Sequence, residues 1–185
     1  MKIKLTNVRL AFPQLFEAKA VNGEGEPRFS AAFPIQPGSE NAKALATALS
    51  AVAKEKWGAK ADAILAELKG KGRVAYKESA LSKDGDVYDG FENMHTLNAG
   101  NKARPQVIDR DTSALTAQDG KPYAGCYVDC SVDLWAQDNS WGKRINATLR
   151  WVQFRSDGDA FGGGAPVSHD EFESIAEGAD AEALA

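Results

Sequence analysis

The alternation of apolar and polar side chains is clearest between residues 126 and 154. In the first run every second residue is apolar, as in a half-buried strand: Cys126, Val128, Cys130, Val132 and Leu134. The opposite face carries Tyr127, Asp129, Ser131, Asp133 and Trp135. After a polar link over 137–142, a return strand places Ile145, Ala147 and Leu149 inside and Arg144, Asn146, Thr148 and Arg150 outside. Burial of Val152 and Phe154 then requires a phase shift, so we expect a long hairpin with a bulge near Arg150.

The start of the chain predicts two further strands. Apolar and polar residues alternate over 2–10, with a slip near Asn7 that indicates a bulge. Residues 22–27 read as a polar turn, and a strand over 29–35 follows it. The polar face of that strand carries Arg28 and Ser30.

Helical spacing replaces alternation after residue 38. Ser39 is suited to cap a helix that extends to Trp57, where Gly58 closes it, and a shorter helix is expected over 60–69. Short extended pieces at 74–77 and 94–98 follow, separated by Asp-Gly turns. Because strand and helix do not alternate repeatedly, we expect a mainly β fold with a helical insertion, built as a small Greek-key barrel.

Composition adds limits on location and on the cysteines. The sequence has no apolar run of about 18 residues, and its first residues lack the pattern of a signal peptide, so we expect a cytoplasmic protein that does not contact membranes. Four positions apart in a strand, Cys126 and Cys130 would lie roughly 13 Å from each other. That distance excludes both a disulfide and a shared zinc ion, and predicts two reduced thiols in the core.

The net charge of −4 is distributed unevenly along the chain. All 22 Lys and Arg lie at or before Arg155, against 18 Asp and Glu, whereas the last 30 residues hold eight acidic and no basic side chains. A glycine-rich segment, 161–166, separates the two parts. We therefore expect a basic domain over 1–160, and a flexible hinge with an acidic tail over 161–185. Such a tail either serves solubility or competes with a polyanion for the basic domain.

The outer face of the long hairpin combines aromatic and basic side chains, as surfaces that bind single-stranded nucleic acid do. Bases stack on aromatic rings while Lys and Arg neutralise phosphates. The candidate residues on the hairpin are Tyr127, Trp135, Trp141, Lys143, Arg144 and Arg150, and an extended basic segment adds Lys102 and Arg104. The alternatives are that Trp135 only covers the core and that Lys102 and Arg104 are only solvated.

No arrangement of side chains in the sequence predicts an active site. The acidic pairs Asp84/Asp86, Asp109/Asp111 and Asp129/Asp133 could serve a metal-dependent nuclease, but no histidine accompanies them. His95 and His169 stand alone, and Gly162–Gly164 lacks the context of a phosphate loop. We expect a protein that is not an enzyme and that uses no cofactor or metal.

Several segments resemble the phage single-stranded-DNA-binding proteins related to podophage helix-destabilising proteins. The segments that carry the resemblance are residues 8–10 through 16–17, 104–109, 125–128 through 141–143, 149–153, 157–158 and 161–163. The resemblance implies an OB-fold that binds single strands without sequence preference in phage replication and recombination, in the host cytoplasm. It also implies a tail that contacts replication proteins such as DNA polymerase.

The end of the chain departs from this family pattern. Tails of this family often finish with an aromatic residue, whereas this chain ends in Ala185 and carries only Phe172 beyond the hinge. The expected partner-binding residues of the tail are Asp170, Glu171, Phe172, Glu173, Glu177, Asp180 and Glu182. The sequence leaves the protein as a monomer or a dimer. It also leaves open a virion or assembly protein with a solubilising tail.

Overall fold

The computed structural model describes residues 1–21 and 23–162, and β-strands are the main element there. The strands are β1 (Lys2–Arg9), β2 (Ala11–Val21), β3 (Glu24–Ile35), β4 (Tyr76–Lys77), β5 (Ser82–Lys83), β6 (Asp86–Val87), β7 (His95–Asn101), β8 (Gln106–Ile108), β9 (Tyr127–Asn139) and β10 (Gly142–Ser156). The helices are α1 (Glu40–Trp57) and α2 (Ala61–Gly70), with 3₁₀ turns at Gly58–Lys60 and Ala117–Asp119. The mainly β class with a helical insertion is confirmed.

The main sheet closes into a barrel because its two end strands, β1 and β2, are consecutive in the chain. The order is β1-β9-β10-β7-β3-β2, with β4 added to β7 and β8 added to β10. Only Leu10 separates β1 from β2, and its backbone is fixed by hydrogen bonds with Gly125 and Cys126. Because one stretch of chain supplies both ends of the order, the sheet forms a barrel. This confirms the expected Greek-key barrel of the OB type.

The long hairpin of β9 and β10 confirms the strongest sequence signal. The pairing shifts register between Leu149 and Trp151, where the bulge was expected, and the shift turns Val152 and Phe154 into the core. The slip in β1 is also a bulge, because the pairing with β9 shifts between Leu5 and Val8. Asn7 adopts a left-handed φ of 55° there, and its N–H donates to Asp129 Oδ1 at 2.8 Å.

Two features of the first 35 residues differ from the prediction. The strand β2 was not predicted, and the turn assigned to 22–27 is shorter, because β3 already begins at Glu24. The pairing of β2 with β3 shifts register three times, Phe12 has a φ of 48°, and Pro13 lies inside the strand. These irregularities remove the two-residue period from the sequence. Proline is tolerated here because β2 ends the sheet order.

The helices form as the spacing predicts and cover one side of the barrel. The Ser39 side chain accepts a hydrogen bond from the N–H of Ala42, and Gly58 ends α1. Leu45, Leu49 and Val52 are buried in the barrel core. Both cysteines are buried and unpaired, as expected. In the described part of the chain, neither helix has the length and apolarity needed to span a membrane.

Candidate nucleic-acid interface

An open groove of about 820 Å³ crosses the outer surface of the barrel at the tip of the β9–β10 hairpin. The groove crosses β3, β7 and β10, and many of the residues that line it there are small or polar: Ser30, Ala32, Asn98, Gly100, Asn146 and Thr148. Its volume leaves room for an extended ligand.

Four cationic side chains line this groove: Arg28, Arg73, Lys77 and Arg144. None of its lining residues, all of them within the described ranges, is Asp or Glu. Among those same ranges no carboxylate lies within 4.0 Å of any of the four cations. The groove therefore presents positive charge that no ion pair within the described residues neutralises, although the whole chain is acidic.

Three large aromatic side chains stand exposed along the same groove. Trp141 at the hairpin tip is 83% exposed, Phe12 49% and Trp135 43%. The indole Nε1–H of Trp135 donates to Thr148 Oγ1 at 3.0 Å, and the ring of Phe12 packs edge-on against Tyr88 with centroids 4.9 Å apart. These contacts hold two of the rings in place while leaving their faces to a ligand.

Three of the eight candidate residues predicted from the sequence meet in the groove, namely Trp135, Trp141 and Arg144. Lys143 projects to the other side of the hairpin, because neighbouring residues of a strand alternate in direction, and it lies 3.8 Å from Asp138. Lys102 and Arg104 do not line the groove. Lys102 Nζ is 2.9 Å from Glu26, and its hydrogen bond holds the pKa of that carboxyl below the usual value.

The remaining candidates, Tyr127 and Arg150, occupy other parts of the surface. Tyr127 is eight residues from Trp135 along β9, which corresponds to roughly 26 Å. Its ring lies 5.5 Å from the guanidinium of Arg9. The Nη1 of Arg150 donates to Ser131 Oγ at 2.9 Å beside the bulge. The groove and these two side chains therefore do not form one continuous site.

Of the seven cationic or exposed aromatic residues of the groove, four were not among the sequence candidates: Phe12, Arg28, Arg73 and Lys77. Arg28 had a visible signal, since it lies on the polar face of a predicted strand. Arg73 had none, because a bridge between Val74 and Ile145 brings it to the hairpin from a distant part of the sequence. Tertiary pairing of that kind leaves no local pattern.

The last described residues are attached to the barrel close to the groove. Arg9 donates hydrogen bonds to the carbonyls of Gly125 and Asp159, and its guanidinium lies 4.2 Å from the centroid of the Phe161 ring. Phe161 and Leu81 also pack against a small buried cluster that includes Ala32, and both Ala32 and Leu81 line the groove. The predicted hinge therefore starts with an anchored residue.

The predicted tail residues lie outside the described residues: Asp170, Glu171, Phe172, Glu173, Glu177, Asp180 and Glu182. Inside the described ranges no group of three or more His, Cys, Asp or Glu is placed to hold a metal ion. Three carboxylates from the acidic pairs considered for a nuclease form ion pairs with cationic groups of the protein. Asp109 pairs with Lys121, Asp129 with Arg155, and Asp133 with the N-terminus.

Comparison with known proteins gives a consistent result. A family profile described as Enterobacter phage Enc34, ssDNA-binding protein, matches residues 1–184. Protein p50 of Acyrthosiphon pisum secondary endosymbiont phage 1 is 43% identical over 189 residues, with 100% of both chains covered.

Two solved structures extend this likeness to the fold. The single-stranded DNA-binding protein of bacteriophage Enc34 aligns at 26% identity and a TM-score of 0.67, covering 92% of this chain and 88% of that one. The same protein in complex with ssDNA aligns at 25% identity and a TM-score of 0.61, covering 87% and 89%. The chain belongs to the family of the Enterobacter phage Enc34 ssDNA-binding protein.

Proposed function

We propose that this protein binds single-stranded DNA, without sequence preference, in the groove at the hairpin tip. The observation that carries the proposal is the combination found there: four cations, three exposed aromatic rings and no carboxylate among the described lining residues. The Enc34 relative, which is named a single-stranded DNA-binding protein and was solved with ssDNA, supports the same ligand class.

The groove residues would divide the work between bases and phosphates. Trp135, Trp141 and Phe12 offer ring faces on which bases stack, at about 1–3 kcal/mol per base. Every base has a π-face, so this contact does not depend on sequence. Arg28, Arg73, Lys77 and Arg144 would neutralise phosphates and release counterions, with a log–log salt slope of about −0.7 for each phosphate contacted.

We further propose that the acidic tail competes with DNA for this groove. The folded DNA-binding body would end near Phe161, whose packing beside Ala32 and Leu81 lets the tail start next to the groove. At up to about 3.3 Å per residue, the 163–185 segment is long enough to reach the cations. Strands of DNA would displace it, and the released tail would be free for replication proteins such as DNA polymerase.

The biological setting follows the family. We propose a role in phage DNA replication and recombination in the host cytoplasm, where single strands exposed during synthesis or strand exchange need cover. Such a protein must bind any sequence and must be removable. Stacking without base recognition meets the first need, and a tethered acidic competitor meets the second.

Titration of oligo-dT against the full chain, followed by tryptophan fluorescence, tests the proposed ligand. We expect quenching and tight binding at low salt. Arg144→Ala should reduce the salt slope by about 0.7, whereas the control Arg150→Ala, on the same strand and outside the groove, should leave it unchanged. Absence of binding at low salt would defeat the proposal. Equal effects of the two substitutions would show that the groove is not where DNA binds.

A further inference from the structure

A second, smaller cleft lies behind the hairpin tip, between α2 and the start of β10. Its volume is about 300 Å³, and it is lined by Ile64, Glu67, Leu68, Lys71, Arg73, Gly142 and Lys143. Three of these side chains are cationic and one is acidic. Like the groove, the cleft therefore presents net positive charge.

Arg73 lines both the groove and the cleft, so it connects them. Gly142 makes this possible. It has a φ of 100°, and a Cβ at this position would lie 2.7 Å from Arg73 Nη1. A side chain at 142 would push the guanidinium away from the hairpin. The sequence thus keeps an arginine lying across the turn, accessible from either side.

The hairpin tip directs consecutive cations into the two spaces. Arg144 faces the groove and Lys143 the cleft, because side chains alternate along a strand. Within the described residues, the two lysines of the cleft are held by exposed ion pairs: Lys71 Nζ is 2.6 Å from Glu67, and Lys143 Nζ is 3.8 Å from Asp138. Exposed pairs of this kind contribute little, so a phosphate could replace the carboxylates at low cost.

We infer that the cleft is a second phosphate-binding site, which takes the continuation of a DNA strand that has left the groove across Arg73. The inference rests on the proposed function. In this arrangement Arg73 holds the phosphate at the crossing, and Lys71 and Lys143 hold the next ones. A short oligonucleotide fills the groove alone, whereas a longer one also occupies the cleft.

Oligonucleotides of two lengths test this inference on the full chain. The double variant Lys71→Ala/Lys143→Ala should bind dT20 roughly five- to tenfold more weakly and with a salt slope reduced by about 1.4, while its affinity for dT6 stays unchanged. The matched control is Lys69→Ala. Lys69 lies in the last turn of α2, two residues before Lys71, and also forms one exposed ion pair, 3.8 Å from Glu78, but it does not line the cleft.

Two results would overturn the second site. One is an equal loss on dT6 and dT20, which would mean that the lysines act only through the general field of the protein. The other is a dT20 affinity matching that of Lys69→Ala. Failure of the proposed function looks different, since the unmodified protein would then bind neither length and both ideas would fall.

Discussion

The two ends of the β9–β10 hairpin carry the same kinds of side chain in opposite conditions. One end is formed by the outer strand termini near Tyr127, and we call it the closed end because its arginine is engaged internally. There, Arg9 lies against the rings of Tyr127 and Phe161 and donates to two backbone carbonyls. The other end is the hairpin turn, which we call the open end because its side chains are available to a ligand. There, Arg144 has no carboxylate within 4.0 Å among the described residues, and Trp141 is 83% exposed. An arginine is thus part of the scaffold at one end of the hairpin and available to a ligand at the other.

This difference shows what the amino-acid pattern leaves undecided. Aromatic and basic residues interleave along the whole hairpin, yet only the open end combines free charge, exposed rings and space. A side chain whose hydrogen bonds and packing are satisfied internally has little to gain from a new partner. The predictions that follow separate the two ends, from the largest expected effect to the smallest.

Removing both rings at the open end should have the largest effect. For Trp135→Ala/Trp141→Ala we expect a loss of binding free energy of about 2–6 kcal/mol, because each stacked base contributes roughly 1–3 kcal/mol. Fluorescence anisotropy of labelled oligo-dT measures the loss. Tyr127→Ala serves as the control. An equal loss in that variant would erase the functional difference between the ends.

Removing the arginine at the closed end should affect stability rather than binding. Arg9→Ala deletes two hydrogen bonds from a charged donor and two cation–π contacts, which should lower the free energy of unfolding by roughly 2–3 kcal/mol. Urea denaturation measures this, with Arg144→Ala as the control that should change stability little. If Arg9→Ala weakened DNA binding while the protein stayed equally stable, Arg9 would belong to the interface.

Removing the tail should strengthen the binding of DNA in the groove. A chain that ends at Gly164 lacks the acidic residues beyond the hinge, so we expect tighter binding of oligo-dT, by roughly fivefold at low salt. The gain should shrink as salt screens the charges. The measurement is a titration of both chains at two salt concentrations. Unchanged affinity would refute competition by the tail.

The thiol at the closed end should make a smaller contribution that depends on pH. Burial is the main cause that raises the pKa of Cys126 to about 11. The unfolded chain therefore loses this proton first as pH rises above about 9, so the folded state becomes relatively less stable, by about 1 kcal/mol near pH 10. Urea titrations at pH 8 and 10 measure the change. A Cys126→Ala variant that showed the same decline would assign it to other groups.

The regular part of this fold is readable from the sequence. The hairpin, both bulges and the two helices follow from alternation and helical spacing, because burial of one face imposes a fixed period, and the residue types at 39 and 58 predict the caps of α1. The strand β2 does not follow, since its three register shifts, the left-handed Phe12 and Pro13 remove the period. Local irregularity hides an element even where its pairing is extensive.

The site was only partly predictable for a similar reason. Trp135, Trp141 and Arg144 lie on one predicted hairpin and could be grouped by sequence alone. Arg28 and Phe12 come from β3 and β2, which are distant from the hairpin in sequence, and Arg73 is placed by the bridge between its neighbour Val74 and Ile145. Which cations keep their charge free also depends on tertiary contacts, as the pairing of Lys102 with Glu26 illustrates.

The claim that the groove holds DNA can be tested by mapping contacts directly. An oligo-dT in which single thymines are replaced by 5-iododeoxyuridine cross-links under ultraviolet light to aromatic side chains that it touches, and mass spectrometry of the peptides locates them. We predict cross-links to Trp135, Trp141 and Phe12. Cross-links concentrated at Tyr127, with the three groove residues unmodified, would contradict the account.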